Sequence, residues 1–263
     1  MAPYSNIAAL GSSYASGPGI DPVDDRTVGR SARNYPHQLA QRFGAALTDL
    51  TVSGATTATI LDAPQRVLFT KIAPQINGRP TNADLVTITA GGNDLGYIAA
   101  ALKLGVVATA DKYTRGSASR LLRPSLPQTT SDQIALAQAG LARIVREVRD
   151  RAPGARVVLV DYLPLLGDAT RPGVDVPFDA QTIAALRTVA DELAAVFRDA
   201  AAETAADLVS ASELGRGHEL GSSDPWVQPL YPVYRLTGSF HPTAAGMQAV
   251  ADAVADHVSS PAQ

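Results

Sequence analysis

Three short segments, far apart in the sequence, carry side chains whose types could act together in acyl transfer. They are Gly11-Ser12-Ser13-Tyr14, Gly91-Gly92-Asn93-Asp94 and Phe240-His241-Pro242. A serine hydroxyl can attack a carbonyl carbon, an imidazole can take the proton of that hydroxyl, and an amide N–H can stabilise the oxyanion that forms. These residue types are the parts of a serine hydrolase that cleaves esters.

Each of these candidates, taken alone, has a simpler structural explanation. Serines are common after a first strand, Asn93 could satisfy the hydrogen bonds of its own double-glycine turn, and a single histidine such as His241 is more often structural than catalytic. The set favours catalysis because Ser13, Asn93 and His241 all fall at strand ends or in loops. Gly54, after the second predicted strand, would add a backbone N–H to an oxyanion hole.

Five short apolar runs predict the strands that position these residues. Turn residues or a glycine lie close to each run, as expected for strands buried on both faces of a parallel sheet. The predicted strands are Ile7–Leu10, Ala46–Val52, Ala83–Thr89, Ala155–Val160 and Ala206–Val209.

Helical patterns lie between and after these strands. The two longest are rich in alanine and have apolar residues three and four positions apart. The alternation predicts an α/β fold, in which a parallel sheet of about five strands has helices on both faces. Ligands of such sheets bind outside the carboxyl ends of the strands, which is where the candidate residues fall. The predicted helices are Ser31–Phe43, Ser131–Ala152, Asp179–Ala205 and Thr243–His257.

The length of 263 residues, with 46% hydrophobic and 18% charged residues, predicts a single domain over residues 1–263. Two segments, near 95–130 and 210–240, are too long to be simple connections and are predicted to be insertions at the active edge. Their apolar residues could line a pocket for a short to medium acyl chain, or equally could be core or lid packing. These residues are the stretch Leu95–Leu104 with Trp226, Tyr231 and Tyr234.

Composition argues against several other classes of protein. The chain has a net charge of −3, no basic stripe and no cysteine, so we expect no nucleic-acid or anionic-membrane partner, disulfide, thiolate metal site or cysteine nucleophile. Neither a metal nor a cofactor is implied, because no cluster of His, Asp and Glu has ligand spacing. No apolar run is long enough to span a bilayer. The first residues lack the features of a signal peptide, which predicts a cytoplasmic protein, although a secreted form whose signal had been removed would look the same.

Three other interpretations fit less well. The region Gly11–Gly19 is rich in glycine and serine but lacks the glycine spacings that hold phosphates. The pattern Gly11-x-Ser13-x-Ala15 is similar to the nucleophile elbow of α/β-hydrolases, but that elbow follows several strands and Ser13 follows the first. The third is a non-catalytic carbohydrate- or lipid-binding relative, and the joint presence of Ser13, Asn93 and His241 argues against it.

The chain resembles the SGNH hydrolase superfamily, also called GDSL esterases or lipases. The resemblance implies a flavodoxin-like α/β/α sandwich that hydrolyses small carboxylic esters through an acyl-enzyme, or transfers the acyl group to another alcohol. It implies Ser13 as the nucleophile, His241 as the base, and an oxyanion hole formed by the Ser13 and Gly54 N–H groups and the Asn93 side chain. The four matching blocks are Gly11-Ser12-Ser13, Gly54, Gly91-Gly92-Asn93-Asp94 and Gly238-Ser239-Phe240-His241.

The sequence departs from the family pattern at two positions. The usual aspartate before the nucleophile is Ser12, and the usual triad acid three residues before His241 is Gly238. Either the backbone carbonyl of Gly238 accepts the Nδ1–H of His241, or Asp224 reaches in from the preceding loop. We favour the carbonyl, which gives a Ser-His dyad.

Two residues of the Asn93 block are expected to support the site. Asp94 is predicted to brace the active-site turns, and Gly92 to let the backbone approach closely.

Overall fold

The computed structural model describes residues 4–78, 81–122, 124–232 and 236–260. Nine strands occur in the described part of the chain, five of them in one parallel sheet and four in two small hairpins. They are β1 (Asn6–Gly11), β2 (Val23–Asp25), β3 (Arg30–Ser31), β4 (Ala46–Asp49), β5 (Gln65–Val67), β6 (Thr70–Ile72), β7 (Leu85–Thr89), β8 (Arg156–Val160) and β9 (Asp207–Val209).

The helices alternate with the strands of the large sheet. They are α1 (Ser13–Ser16), α2 (Tyr35–Phe43), α3 (Thr57–Leu61), α4 (Tyr97–Thr114), α5 (Ser117–Leu122), α6 (Ser131–Arg151), α7 (Ala180–Thr204), α8 (Ala211–Leu214) and α9 (Ala244–Ser259), with one 3₁₀ turn at Gln75–Gly78. Helix α2 packs against α9 and helix α6 against α7, and these pairs form the two outer layers of the α/β/α sandwich.

The order of strands in the large sheet is β4-β1-β7-β8-β9, and all neighbours are parallel. Counted along the chain within this sheet, the order is 2-1-3-4-5, which is that of flavodoxin. The direction of winding reverses between β1 and β7, so a crevice opens at the carboxyl ends of these two strands. The prediction of a flavodoxin-like α/β/α fold with five parallel strands is therefore confirmed.

All five predicted strands are present, although several are shorter than predicted. The apolar run that includes β4 extends to Val52, yet the strand ends at Asp49. The Asp49 carboxylate accepts hydrogen bonds from the N–H and hydroxyl of Thr51, which turns the chain. The β2–β3 and β5–β6 hairpins had no counterpart among the sequence predictions.

The predicted helices are also present, and their ends are set by capping side chains. Helix α2 begins at Tyr35 rather than at Ser31, because the Asn34 side chain accepts the N–H of His37 and Pro36 occupies the first turn. Helix α6 is capped by Thr130, through a reciprocal pair with Gln133.

Candidate active site

Ser13 is the first residue of α1 and follows β1 with only Ser12 between them. The turn that lifts it out of the sheet is tight, since the Ser12 N–H donates to the Thr89 carbonyl at the end of β7 at 2.8 Å. A Cβ atom at Gly11 would lie 2.6 Å from the same carbonyl oxygen. Glycine is therefore required at position 11. Ser13 follows it at the point where the sheet reverses its winding.

Tyr162, just beyond β8, joins the nucleophile turn to the Asn93 turn. Its hydroxyl lies 2.7 Å from the Ser12 hydroxyl and accepts the Gly92 N–H at 3.2 Å. A Cβ atom at Gly92 would lie 2.7 Å from the Tyr162 ring, so this close approach requires glycine. Ser12, which replaces the family's usual aspartate, thus bonds to a buried phenol.

Asn93 lies beside the turn that carries Gly54. Its side-chain Nδ2 donates to the Ala55 carbonyl at 2.8 Å, and Gly54 has a left-handed φ of 82°. A side-chain amide has two N–H groups, so one can anchor Asn93 while the second remains to serve an oxyanion. Two of the three predicted oxyanion donors, Gly54 and Asn93, therefore lie on turns that are bonded to each other.

The Asp94 carboxylate holds the start of helix α3. It accepts the N–H of Thr57 at 3.1 Å and the Thr57 hydroxyl at 2.6 Å. Because α3 directly follows the Gly54 turn, Asp94 makes a second connection between that turn and the Asn93 turn.

His241 is buried, with 8% of its surface exposed. Its Nδ1 lies 2.8 Å from the carbonyl oxygen of Ser239. The Gly238 carbonyl instead accepts the backbone N–H of His241 at 3.0 Å. The predicted partner of His241 Nδ1, the carbonyl of Gly238, is therefore wrong, and the backbone carbonyl that it contacts is that of Ser239.

Asp224, the other predicted partner of His241, lies elsewhere. Its carboxylate is largely exposed and lies 3.5 Å from His218 Nδ1, and that nitrogen is 2.7 Å from the Asp224 carbonyl oxygen. His218 also stacks on Trp226 with ring centroids 3.7 Å apart. These contacts hold Asp224 against His218. The alternative prediction, in which Asp224 orients His241, is therefore wrong.

Burial lowers the pKa of His241 to about 4, although the hydrogen bond to the Ser239 carbonyl raises it in part. The imidazole is therefore neutral at pH 7. A proton on Nδ1 satisfies the Ser239 carbonyl and leaves Nε2 with a lone pair, which is the state that a general base needs.

Tyr14 joins the nucleophile segment to the histidine loop. Its hydroxyl donates to the Phe240 carbonyl at 2.8 Å, and its ring centroid lies 5.7 Å from that of His241. Phe240 has a left-handed φ of 61°, which is unusual for a residue other than glycine. The residue next to Ser13 thus fixes a strained residue next to His241.

Comparison with known proteins identifies the family. The sequence matches the GDSL-like lipase/acylhydrolase family over residues 9–249, a range that includes all four motif blocks. The chain belongs to this family. As a GDSL-family protein with this fold it is a carboxylic ester hydrolase, and the expected family resemblance is confirmed.

Two curated relatives of this GDSL protein are lipases from Streptomyces. Lipase 2 of Streptomyces coelicolor is 34% identical and aligns with 97% of this chain and 86% of its own length. A lipase of Streptomyces rimosus is 29% identical, over 92% of this chain and 82% of the relative.

Solved structures of similar proteins share the fold over almost the whole chain. The extracellular lipase from Streptomyces rimosus superposes with a TM-score of 0.69 at 26% identity, covering 97% of this chain and 100% of the other. Phospholipase A1 from Streptomyces albidoflavus gives a TM-score of 0.73 at 24% identity, covering 98% and 100%.

Several contacts of this GDSL site had no sequence signal. Gln228 is buried, its Nε2 donates to the Pro242 carbonyl and its N–H donates to the His241 carbonyl. Gln75 holds Gly11 from both sides, through its side-chain oxygen and nitrogen. Neither residue belongs to a motif block. Tyr14 could have been suspected, because it adjoins Ser13.

The apolar residues that could have lined an acyl pocket are mostly packed. Leu95 and Leu104 are buried in the core, and Trp226 stacks on His218. Tyr231 is half-buried, and Tyr234 lies outside the described residues.

A cavity of about 780 Å³ in the described part of the chain includes Tyr162, Arg187 and Arg198 in its lining. Neither Ser13 nor His241 lines it. Among the residues that the structure describes, no helix is long and apolar enough to cross a membrane. In the same ranges, no group of three His, Asp or Glu side chains could hold a metal ion.

Proposed function

We propose that this ester hydrolase works through an acyl-enzyme, with Ser13 as the nucleophile and His241 as the base. The observation that carries the proposal is the buried neutral imidazole, whose Nδ1 contacts the Ser239 carbonyl and whose loop is bonded through Tyr14 to the helix of Ser13. This arrangement supports Nε2 of His241 as the proposed proton acceptor.

In the first half-reaction the Ser13 Oγ attacks the ester carbonyl carbon, and its proton passes to Nε2 of His241. The N–H groups of Ser13 and Gly54 and the second N–H of Asn93 stabilise the oxyanion of the tetrahedral intermediate. The carbon–oxygen bond to the alcohol then breaks, and the imidazolium returns the proton to the departing alkoxide.

In the second half-reaction water replaces the alcohol. His241 takes a proton from the water as the water oxygen attacks the acyl carbon, and the acid is released when Ser13 regains its proton. The Ser239 carbonyl selects the tautomer throughout but supplies only a dipole to the imidazolium. We therefore assign the site as a Ser-His dyad oriented by a backbone carbonyl.

We further propose short to medium acyl chains as substrates. In support, Leu95 and Leu104 pack in the core, and the cavity of about 780 Å³ does not include Ser13 in its lining. A long enclosed acyl channel at the nucleophile is therefore not part of the proposal.

We also propose that the protein acts outside the cell. The support is its similarity to the Streptomyces rimosus enzyme, which is described as an extracellular lipase. The first residues of the chain left open both a cytoplasmic protein and a secreted form whose signal had been removed, and this similarity favours the secreted form.

Hydrolysis of p-nitrophenyl acetate, butyrate, octanoate and palmitate by wild type and Ser13→Ala tests the mechanism and the substrate class together. We expect turnover that falls with chain length and is abolished in Ser13→Ala. Ser117→Ala, on the exposed start of α5, serves as the matched control. A fluorophosphonate probe should label wild type and the control but not Ser13→Ala. Turnover or labelling that survives Ser13→Ala would contradict the proposed nucleophile.

A further inference from the structure

The tip of the β5–β6 hairpin exposes two adjacent apolar side chains. Phe69 is fully exposed and Leu68 is 89% exposed, the highest values of any large apolar residue in the described ranges. Single exposed apolar residues are ordinary on protein surfaces, whereas a contiguous apolar projection marks an interaction site.

The backbone conformation of the turn makes a leucine at position 68 unusual. Val67 pairs with Thr70, so Leu68 and Phe69 form a two-residue turn. Leu68 has a left-handed φ of 52°, a conformation that favours glycine or asparagine in such turns. Leucine costs free energy there and gains no burial in return, so the stability of the fold does not explain it.

The hairpin is fixed to the candidate active site. Val67 and Ile72 are half-buried and pack against the core. The Gln65 side chain donates to the Ser53 carbonyl at 2.8 Å, and Ser53 precedes Gly54 of the proposed oxyanion hole. The apolar tip is thus connected, through Gln65 and Ser53, to the turn that would contact the ester.

Two cations lie just behind the apolar tip. Arg66 and Lys71 are paired opposite each other across the hairpin, and both are exposed. Residues 65–72 include no acidic residue. The net charge of −3 led us to expect no anionic-membrane partner, but this hairpin is locally positive.

We propose that the β5–β6 hairpin docks the protein on a lipid bilayer surface that carries anionic headgroups. Leu68 and Phe69 insert into the apolar region of the bilayer, while Arg66 and Lys71 contact the headgroups. Because Gln65 ties the hairpin to Ser53, docking holds the Gly54 turn close to the surface. This inference goes beyond the proposed function and does not depend on Ser13.

Sedimentation with phosphatidylcholine vesicles, with and without phosphatidylglycerol, tests the docking. The double variant Leu68→Ser/Phe69→Ser should bind vesicles with an affinity at least about tenfold lower than that of wild type, since it removes both apolar side chains from the bilayer. The matched control is Leu136→Ser, which changes a 71% exposed leucine on α6 and should bind as wild type does. Ser13→Ala should also bind normally, which separates docking from turnover.

Hydrolysis of p-nitrophenyl acetate in solution shows whether the tip variant and Leu136→Ser are folded, and circular dichroism shows the same for Ser13→Ala. Equal vesicle binding by wild type and the tip variant would overturn the proposal. Failure of wild type to bind either kind of vesicle would also overturn the proposal. If, in that case, the tip variant changed the oligomeric state, the tip would be a contact between copies of the chain.

The charges are tested by Arg66→Gln/Lys71→Gln. We expect about fivefold weaker binding to the phosphatidylglycerol vesicles for each cation removed, and a smaller change without the anionic lipid. Arg171→Gln/Arg216→Gln removes the same number of charges from two other exposed positions. An equal loss in both double variants would assign the effect to net charge and contradict the role of the hairpin.

Discussion

The two ends of the five-stranded sheet are stabilised by different kinds of interaction. At the amino end, near the start of β8 and β9, Arg156 pairs with the Asp207 carboxylate at 2.8 Å, and His257 Nε2 lies 2.8 Å from the same carboxylate. At the carboxyl end His241 has a backbone carbonyl as its partner. One histidine is thus matched with a charge and the other with a neutral dipole.

The difference follows from burial. Asp207 and Arg156 are partly exposed, so their charges remain hydrated while they pair. The candidate active site is buried, and burial penalises charge on His241. A base must be neutral before the reaction, so the partner of His241 is a carbonyl and not a carboxylate, although the Asp94 carboxylate braces the turns nearby. We infer that the amino end contributes mainly to stability and the carboxyl end mainly to catalysis.

The largest effects should come from removing the proposed dyad. Ser13→Ala and His241→Gln should each lower kcat by about 10⁴-fold or more, because nucleophile and base act as a unit. Turnover of p-nitrophenyl acetate measures the loss, with His257→Gln at the opposite end of the sheet as the control. If His257→Gln lost as much activity as His241→Gln, the functional division between the two ends would be wrong.

Loss of the Asn93 amide should have the next largest effect. Asn93→Ala should lower kcat by about 10²- to 10³-fold with a small change in KM, since its second N–H would act on the transition state. The exposed Asn77→Ala is the matched control. A change confined to KM would argue that Asn93 binds the substrate and does not stabilise an oxyanion.

The pH profile should reflect a base with a lowered pKa. Neutral His241 is the active form, so kcat/KM should stay level as pH falls from 8 to 5 and drop about tenfold per unit below pH 4. The unfolded chain takes up this proton near pH 6.5, so the histidine also favours unfolding progressively as pH falls from 6.5 towards 4. An acid limb near pH 6.5 would indicate a hydrated imidazole.

The Tyr14 hydroxyl should matter less than the reacting groups. Tyr14→Phe leaves the Phe240 carbonyl without this donor, which should lower kcat by about tenfold and the free energy of unfolding by about 1–3 kcal/mol. The control is Tyr113→Phe, which removes a tyrosine hydroxyl from an exposed part of α4. Chemical denaturation and steady-state kinetics measure the two effects, and unchanged kcat would assign Tyr14 to stability alone.

The smallest effect on activity should come from the amino end. Asp207→Asn should keep kcat within about twofold of wild type but lower the free energy of unfolding by about 1–2 kcal/mol. The hydrogen bond from Arg156 lowers the pKa of Asp207. The stabilisation is therefore full at neutral pH and is lost as pH falls through that lowered value. Denaturation of both proteins at neutral and acidic pH should show the difference shrinking.

The sheet could be predicted from sequence because each strand is a short apolar run. The proposed reacting groups could be selected from the sequence because Ser13 and Asn93 follow strands and His241 lies in the loop before α9, each within a short motif. The ends of the helices were harder to predict from the sequence. Asn34 and Thr130 cap helices α2 and α6, but the nearby Ser31 and Ser131 are also residue types that cap helices.

The partner of His241 could not be predicted to the residue. The choice between the carbonyls of Gly238 and Ser239 depends on the left-handed backbone of Phe240. The contact of Tyr162 with Ser12 joins residues far apart in the chain, and no motif marks it. The β5–β6 hairpin was missed because its strands are short and its turn lacks the usual glycine or asparagine.

The hydrogen bond between Tyr14 and Phe240 has a consequence for biosynthesis. It joins two residues that are 226 positions apart in the chain, and His241, the proposed base, follows the second of them. A nascent polypeptide emerging from the ribosome therefore carries the proposed nucleophile, Ser13, long before it can acquire the proposed base. The proposed dyad therefore predicts that ester cleavage begins only once translation has passed His241, so a shorter product would be inert towards esters.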